Sequence, residues 1–364
     1  MTDNIFDRLA ELLQSAGPVN WRLGRQIAES VAGAAEPVDP WVAEEYEELG
    51  RTAVMLLERS GAADPEPVAP LTILDARGWA ADNLEGFAYL AEPLADKLGG
   101  GGGMPAGVGM EAIFGQLGPA LVGLQVGSLA GTMARTLLGS FDAALPPLGT
   151  GPQVVVANVE ALAAAEGLDP RQARLWAVVR EVSHQALLAG PWLAGHLEAL
   201  VAEYIGGLEM RTDQLEERLQ GLQDPGELER MMSEPGGLGG LAAGPELERV
   251  RNDLMAALAV LDGFGRAAVG SAAGTLLPDL ADIEAATARR RTEESPERVI
   301  EQMLGIEIDP ELAAAAAGFA GEITSRWGDG AAGRLWEGPD GLPTIAELHD
   351  PVGWAARVLL PDEV

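Results

Sequence analysis

The chain has three histidines and no cysteine, so the side chains able to do nucleophilic or metal chemistry are few. His184 ends the run Arg180-Glu181-Val182-Ser183-His184. This is H-E-x-x-H with arginine in place of the first histidine. In the complete motif, two imidazoles one helical turn apart bind zinc, and the glutamate between them acts as general base on the metal-bound water. Arginine has no lone pair to give a metal, and its permanent charge opposes one. Glu181 is the candidate base, His184 the remaining candidate ligand, and Arg180 a cation standing where a ligand would be. Spacing alone leaves a second reading open: the polar face of an amphipathic helix, with Arg180 and His184 solvated or ion-paired.

The other two histidines carry less. His196 follows twelve residues after His184, but Gly190-Pro191 divides the two into separate helices. It is either an accessory ligand or a core or capping residue beside Trp192. His349 precedes Asp350-Pro351 at a helix end, where an imidazole suits the helix dipole, and no chemistry is assigned to it. No phosphate-binding loop, dinucleotide fingerprint or G-x-S-x-G elbow occurs. Gly99 to Gly103 are five consecutive glycines without the lysine and hydroxyl residue of a phosphate loop.

These residues need a helix to hold them. Asp169-Pro170 supplies an N-cap and a proline at the first helical position, and Gly190-Pro191 a stop. At 100° per residue, Ala173, Ala177, Arg180, Glu181, His184 and Leu188 share one sector, and Leu175, Val178, Val179, Val182 and Ala186 lie opposite. Pro152 to Ala157, with three β-branched residues in a row, is the strongest strand signal in the chain. Such a strand can pair with an extended peptide or serve as an ordinary sheet strand. Helical periodicity is predicted around Ile5 to Leu13 and Val54 to Leu57, over 79–97, from Trp192 to about Gly206, from Pro245 to Leu261 and over 296–304. A loop is expected from Gly221 to Gly244. Thr344 and Glu347 form a capping box for a last helix.

Several stretches in order resemble the actinobacterial zincin-like metallopeptidase family. Its members carry labels such as hydrolase, zinc-dependent metalloprotease and coenzyme F420 biosynthesis-associated protein. The resembling pieces are Gly17-Pro18-Val19-Asn20-Trp21, Gly78-Trp79 with Asn83-Leu84, Phe114 to Gly131, and Arg180 to Leu197. They end with Leu335-Trp336 and Leu342 to Leu348. The resemblance spans nearly the whole chain. It implies an α+β, predominantly helical, zincin-like fold with a small sheet and an active-site helix. Family members with an intact site place a glutamate-glycine pair on a later helix as third ligand. Asp262, before Gly263, stands there in this chain, one methylene shorter. Zinc is therefore the implied cofactor, while two of three ligand positions depart from the pattern. A branch of the family carries R-E-x-x-H itself, and the chain is most similar to that branch.

Composition narrows the partners. Lys plus Arg is 24 and Asp plus Glu is 56, a net charge of -32. That surface repels nucleic-acid backbones and anionic membranes. Arg289-Arg290-Arg291 is read as a solvated helix end, with an anion site as the alternative. The absence of cysteine suits a cytoplasmic protein, and the first residues lack the basic segment of an export signal. Ala112 to Ala134 carry no charge, with Gly123, Gly127 and Gly131 spaced by four. In lipid this would be a dimerisation face, but polar residues and Pro119 favour a buried helix with close backbone approach. The expected organisation is a helical region over 1–98, a glycine-rich loop over 99–105 and a zincin-like core over 106–364, packed as one unit. Three functions remain open. One is a degenerate zincin that binds a peptide or partner protein. Another is an active hydrolase using His184 and Asp262 as ligands, His196 as an accessory and Glu181 as base. The third is an assembly protein using the glycine-bearing helix. Oligomeric state is not legible.

Overall fold

A computed structural model describes residues 17–64, 68–99, 110–143, 145–210, 241–242, 245–290, 305–306 and 310–360. The expected helices at Ile5 to Leu13 and 296–304 lie outside these residues. So do residues 100–105 of the glycine run, 221–240 and 243–244 of the expected loop, and Arg291; the loop's residues 241–242 form a strand instead.

Among the described residues the fold is mainly helical with two small sheets. In chain order the helices are α1 (Trp21–Ala32), α2 (Pro40–Ser60), α3 (Ala76–Asn83), α4 (Ala88–Gly99), α5 (Met110–Ala134), α6 (Val156–Glu166) and α7 (Pro170–Leu188). They continue with α8 (Leu193–Gly207), α9 (Pro245–Ala273), α10 (Leu280–Arg290), α11 (Pro310–Trp327), α12 (Asp329–Arg334), α13 (Ile345–Leu348) and α14 (Pro351–Val358). Strands β1 (Thr72–Leu74) and β2 (Gln153–Val155) pair in parallel, and β3 (Glu209–Met210) and β4 (Leu241–Ala242) pair antiparallel.

The strand signal at 152–157 is only half used. Residues 153–155 form β2, fully buried, and Val156 already begins α6. The capping box at Thr344 and Glu347 forms with both reciprocal hydrogen bonds, on the four-residue helix α13. His349 caps that helix at its C-terminus, as its position suggested. The glycines of α5 meet α1 backbone to backbone. An added Cβ at Gly123, Gly127 or Gly131 would overlap the carbonyl oxygen of Asn20, Gly24 or Ala28 respectively. This is the close-approach reading of the glycine spacing, realised within one chain.

Helix α7 lies at the centre. Asp169 caps it, accepting from the amides of Arg171 and Gln172. Arg174 fixes its first turns, donating to Glu160 of α6 at 2.7 and 2.8 Å and to Glu45 of α2 at 2.6 Å. It packs against α2 and α9. The amphipathic reading of α7 fails here. Arg180, Glu181, Ser183 and His184 are as buried as the valines opposite them. The physical reason is that both flanks are covered, the valine side by one apolar cluster and the polar side by residues 139–142 and α9.

Helix α9 runs twelve residues past the expected end at Leu261. Gly263 and Gly265 do not break it. They let neighbours approach: a Cβ at Gly263 would overlap the backbone of Ala316 and Ala317 in α11, and one at Gly265 the His184 ring. The span Leu247–Leu276 is long and apolar enough to cross a membrane by length and composition, yet 67% of its apolar window is buried against the rest of the fold.

Candidate functional site

Arg180, Glu181, His184 and Asp262 come together in one buried cluster. The first three project from α7, and Asp262 reaches them from the middle of α9. The Arg180 guanidinium is 6% exposed by residue. Its Nη2 donates to the Phe141 carbonyl at 2.6 Å and lies 3.7 Å from Asp262 Oδ1. Nη1 lies 3.7 Å from Glu181 Oε1, and the guanidinium carbon stands 5.8 Å over the Trp176 ring. The expected pairing with Asp262 is thus present as a contact too long for a hydrogen bond, and pairing with Glu181 is equally close. The strongest bond goes to a backbone carbonyl that the sequence did not point to.

Glu181 is buried. Its Oε2 accepts from the Ser140 amide at 3.0 Å and its Oε1 from the Phe141 amide at 3.1 Å. Gly139 makes room for it, since a Cβ there would overlap the carboxyl group. Burial pushes its pKa up to about 7, although Arg180 and the two amides pull it down. The sign of the consequence follows from proton counting. Between the ordinary value of 4.5 and about 7, the folded protein holds more protons than the unfolded one. This contribution to stability is therefore full at acid pH and is lost as pH rises through that window, by about 3 kcal/mol. Glu181→Gln should remove that slope. Denaturant midpoints of both proteins at roughly pH 5 and pH 7.5 would show it, and parallel profiles would contradict it.

His184 Nδ1 lies 2.8 Å from the Arg180 carbonyl. A carbonyl only accepts, so Nδ1 carries the proton and the neutral ring keeps its lone pair on Nε2. Nε2 is buried without a hydrogen-bond partner and lies 3.7 Å from Asp262 Oδ1. Burial holds the imidazole pKa below its usual value, Asp262 acts against this, and Arg180 adds to it. Phe141 stacks on the ring with centroids 5.3 Å apart. Asp262 is also flanked by Arg266, at 3.7 Å.

His196 does not join the cluster. It packs edge-on against Trp192, with its charge neighbour Asp253. Asp253 stands nine residues before Asp262, about 13 Å along α9. This is the alternative of a histidine beside Trp192, not the ligand. Of the arginine run, Arg289 stays exposed at the helix end while pairing with Glu166 at 2.5 Å, and Arg290 departs from the solvated reading by turning inward onto the fully buried Asp142.

The donor set does not fit catalytic zinc. One ring nitrogen and one carboxylate converge, where such zinc takes three protein ligands. A guanidinium approaches the same carboxylate within 3.7 Å. Among the described residues, no three His, Asp or Glu side chains form a group that could hold a metal ion. Sequence reasoning missed Gly139, Ser140, Phe141, Gly265, Arg266 and Arg290. Only the arginine run drew notice; Gly139, Ser140 and Gly265 act through backbone groups or an absent side chain, and the Phe141 ring and the Arg266 guanidinium belong to no motif.

A family model described as zincin-like metallopeptidase matches residues 19–355. A crystal structure from Chloroflexus aurantiacus, described as that of "a putative hydrolase with a novel fold", is similar at TM-score 0.67. The match covers 94% of this chain and 99% of that one at 22% identity, which speaks to the fold alone. No curated protein matches the chain.

Proposed function

The chain belongs to the zincin-like metallopeptidase family, and from that premise we propose that it uses the peptidase fold for binding: a degenerate zincin that engages a peptide or partner protein without cleaving it. The observation that carries this reading is the buried Arg180 guanidinium, bonded to Phe141 and flanked by Glu181 and Asp262. A cation fixed by the fold neutralises carboxylates that would otherwise need a metal or a proton. Arginine suits this role because it stays charged and offers a planar fork of donors. The charge of -32 favours a basic partner surface over nucleic acid.

The raised Glu181 pKa favours a second reading, an active hydrolase with Glu181 as general base. Against it, both Glu181 oxygens are engaged by backbone amides. Peptide-hydrolysis assays separate the two. The wild type should cleave generic peptides no faster than a chelator-treated control. Arg180→His alone should recover little, because Asp262 remains short. Arg180→His with Asp262→Glu should gain zinc uptake. Robust cleavage by the wild type, abolished by both a chelator and Glu181→Gln, would establish the hydrolase instead.

A further inference from the structure

Residues Leu138 to Asp142 run between β2 and α7, and all five are buried. Their backbone is engaged on both sides. Toward the sheet, Gly139 bridges antiparallel to Val154, and the Leu138 carbonyl accepts from the Val155 amide at 2.9 Å. The opposite edge of β2 is occupied by β1. Toward the helix, the Ser140 and Phe141 amides donate to Glu181, and the Phe141 carbonyl accepts from Arg180. The far end is tied as well. Asp142 accepts from the Leu138 amide at 3.0 Å and pairs with Arg290. The Ser140 hydroxyl lies 3.4 Å from both Asn83 Oδ1 and Gln153 Oε1.

An open strand edge is a ready docking line for an extended peptide, which binds through main-chain hydrogen bonds. Here the same kind of bonds are made by the chain itself. We propose that Leu138–Asp142 is an intrachain strap that fills the second edge of β2, clamped by Arg180 and Glu181 and latched by the Arg290–Asp142 pair, so that an extended peptide reaches that edge only after the strap is released. Glu181 then serves as an acceptor for strap backbone. The peptide-binding half of the proposal rests on the functional reading above, while the strap's own pairing and release are read by hydrogen exchange apart from it.

Two variants release the strap from different ends. Gly139→Ala places a methyl against the Glu181 carboxyl group and the Gln153 carbonyl. Arg290→Ala removes the latch on Asp142. Hydrogen exchange read by mass spectrometry should find the amides of 138–142 and 153–155 slow in the wild type. Both variants should speed them about tenfold or more, with the α1–α5 contact unchanged. A fluorescent peptide of the strap's own sequence, residues 136–143, should bind each variant and not the wild type. Fast exchange of the strap in the wild type overturns the proposal. So does acceleration across the whole protein in both variants, or a released strap with no peptide bound.

Discussion

Arg180→Ala is expected to destabilise the fold by about 3–5 kcal/mol, the range for removing one partner of a buried charged cluster. The guanidinium is replaced by nothing that can donate. The Phe141 carbonyl loses its 2.6 Å bond, and Glu181, already raised to about 7 by burial, loses the cation that lowers it and must take up a proton or stay charged at a cost. Glu181 is 2% exposed, so water does not easily take over. Trp176 loses the cation over its face. Asp262 responds differently. Its side chain is 25% exposed and Arg266 stands within 3.7 Å, so it retains solvent and a second cation. A double-mutant cycle of Arg180→Ala with Asp262→Ala should therefore show real but modest coupling, about 1 kcal/mol. Denaturant melts of the four proteins measure both quantities. A loss below about 1 kcal/mol for Arg180→Ala would mark the guanidinium as solvated. Strict additivity in the cycle would reject the Arg180–Asp262 pairing.

Gly127→Leu is expected to abolish cooperative folding. The neighbour that a Cβ would overlap at this position is the Gly24 carbonyl oxygen, part of the α1 backbone. Backbone cannot rotate away as a side chain can. The contact is also repeated one turn to each side, at Gly123 and Gly131, so α1 cannot shift to relieve one site alone. The Asn20 amide further ties α1 to the Pro119 carbonyl at 2.8 Å. Even Gly127→Ala should cost about 3 kcal/mol or more, at the upper end of overpacking. Gly118, in the same helix, supplies the control: among the described residues, nothing beyond its own helix backbone lies within 4 Å of an added Cβ there. Gly118→Ala should be neutral or stabilising by up to about 1 kcal/mol through helix propensity. Thermal melts of the three variants decide it. A stable, folded Gly127→Leu protein would mean that α1 and α5 do not meet in this way. An assembly role for these glycines faces the same geometry, because a second copy could reach them only if α1 left.

How much of this was legible depends on what kind of group carries each feature. Side chains with a cap or stop function were readable. Asp169-Pro170 begins α7 and Thr344 with Glu347 closes a capping box, because those residue types act locally. The cluster of Arg180, Glu181 and His184 was readable from helical spacing, and Asp262 from the family resemblance. Its burial was not. A helix with polar residues on one face is a surface helix unless something covers that face, and the cover comes from residues about 40 positions earlier in the chain. The continuation of α9 past Leu261, through Gly263 and Gly265, was not legible for a related reason. Glycine weakens a helix locally, yet here it is retained inside α9 so that Ala316 and the His184 ring can approach. The strap was invisible because Glu181 and Arg180 hold its backbone, which every sequence shares.

Metal content tests the central claim most directly. The protein should be prepared without a metal-affinity tag, dialysed against zinc and then against buffer, and its zinc measured by elemental analysis. If Arg180 stands in for the metal among Glu181, His184 and Asp262, zinc should remain at trace level, and Arg180→His with Asp262→Glu should raise it toward one ion per chain. Stoichiometric zinc in the wild type, lost on His184→Ala, would contradict the account.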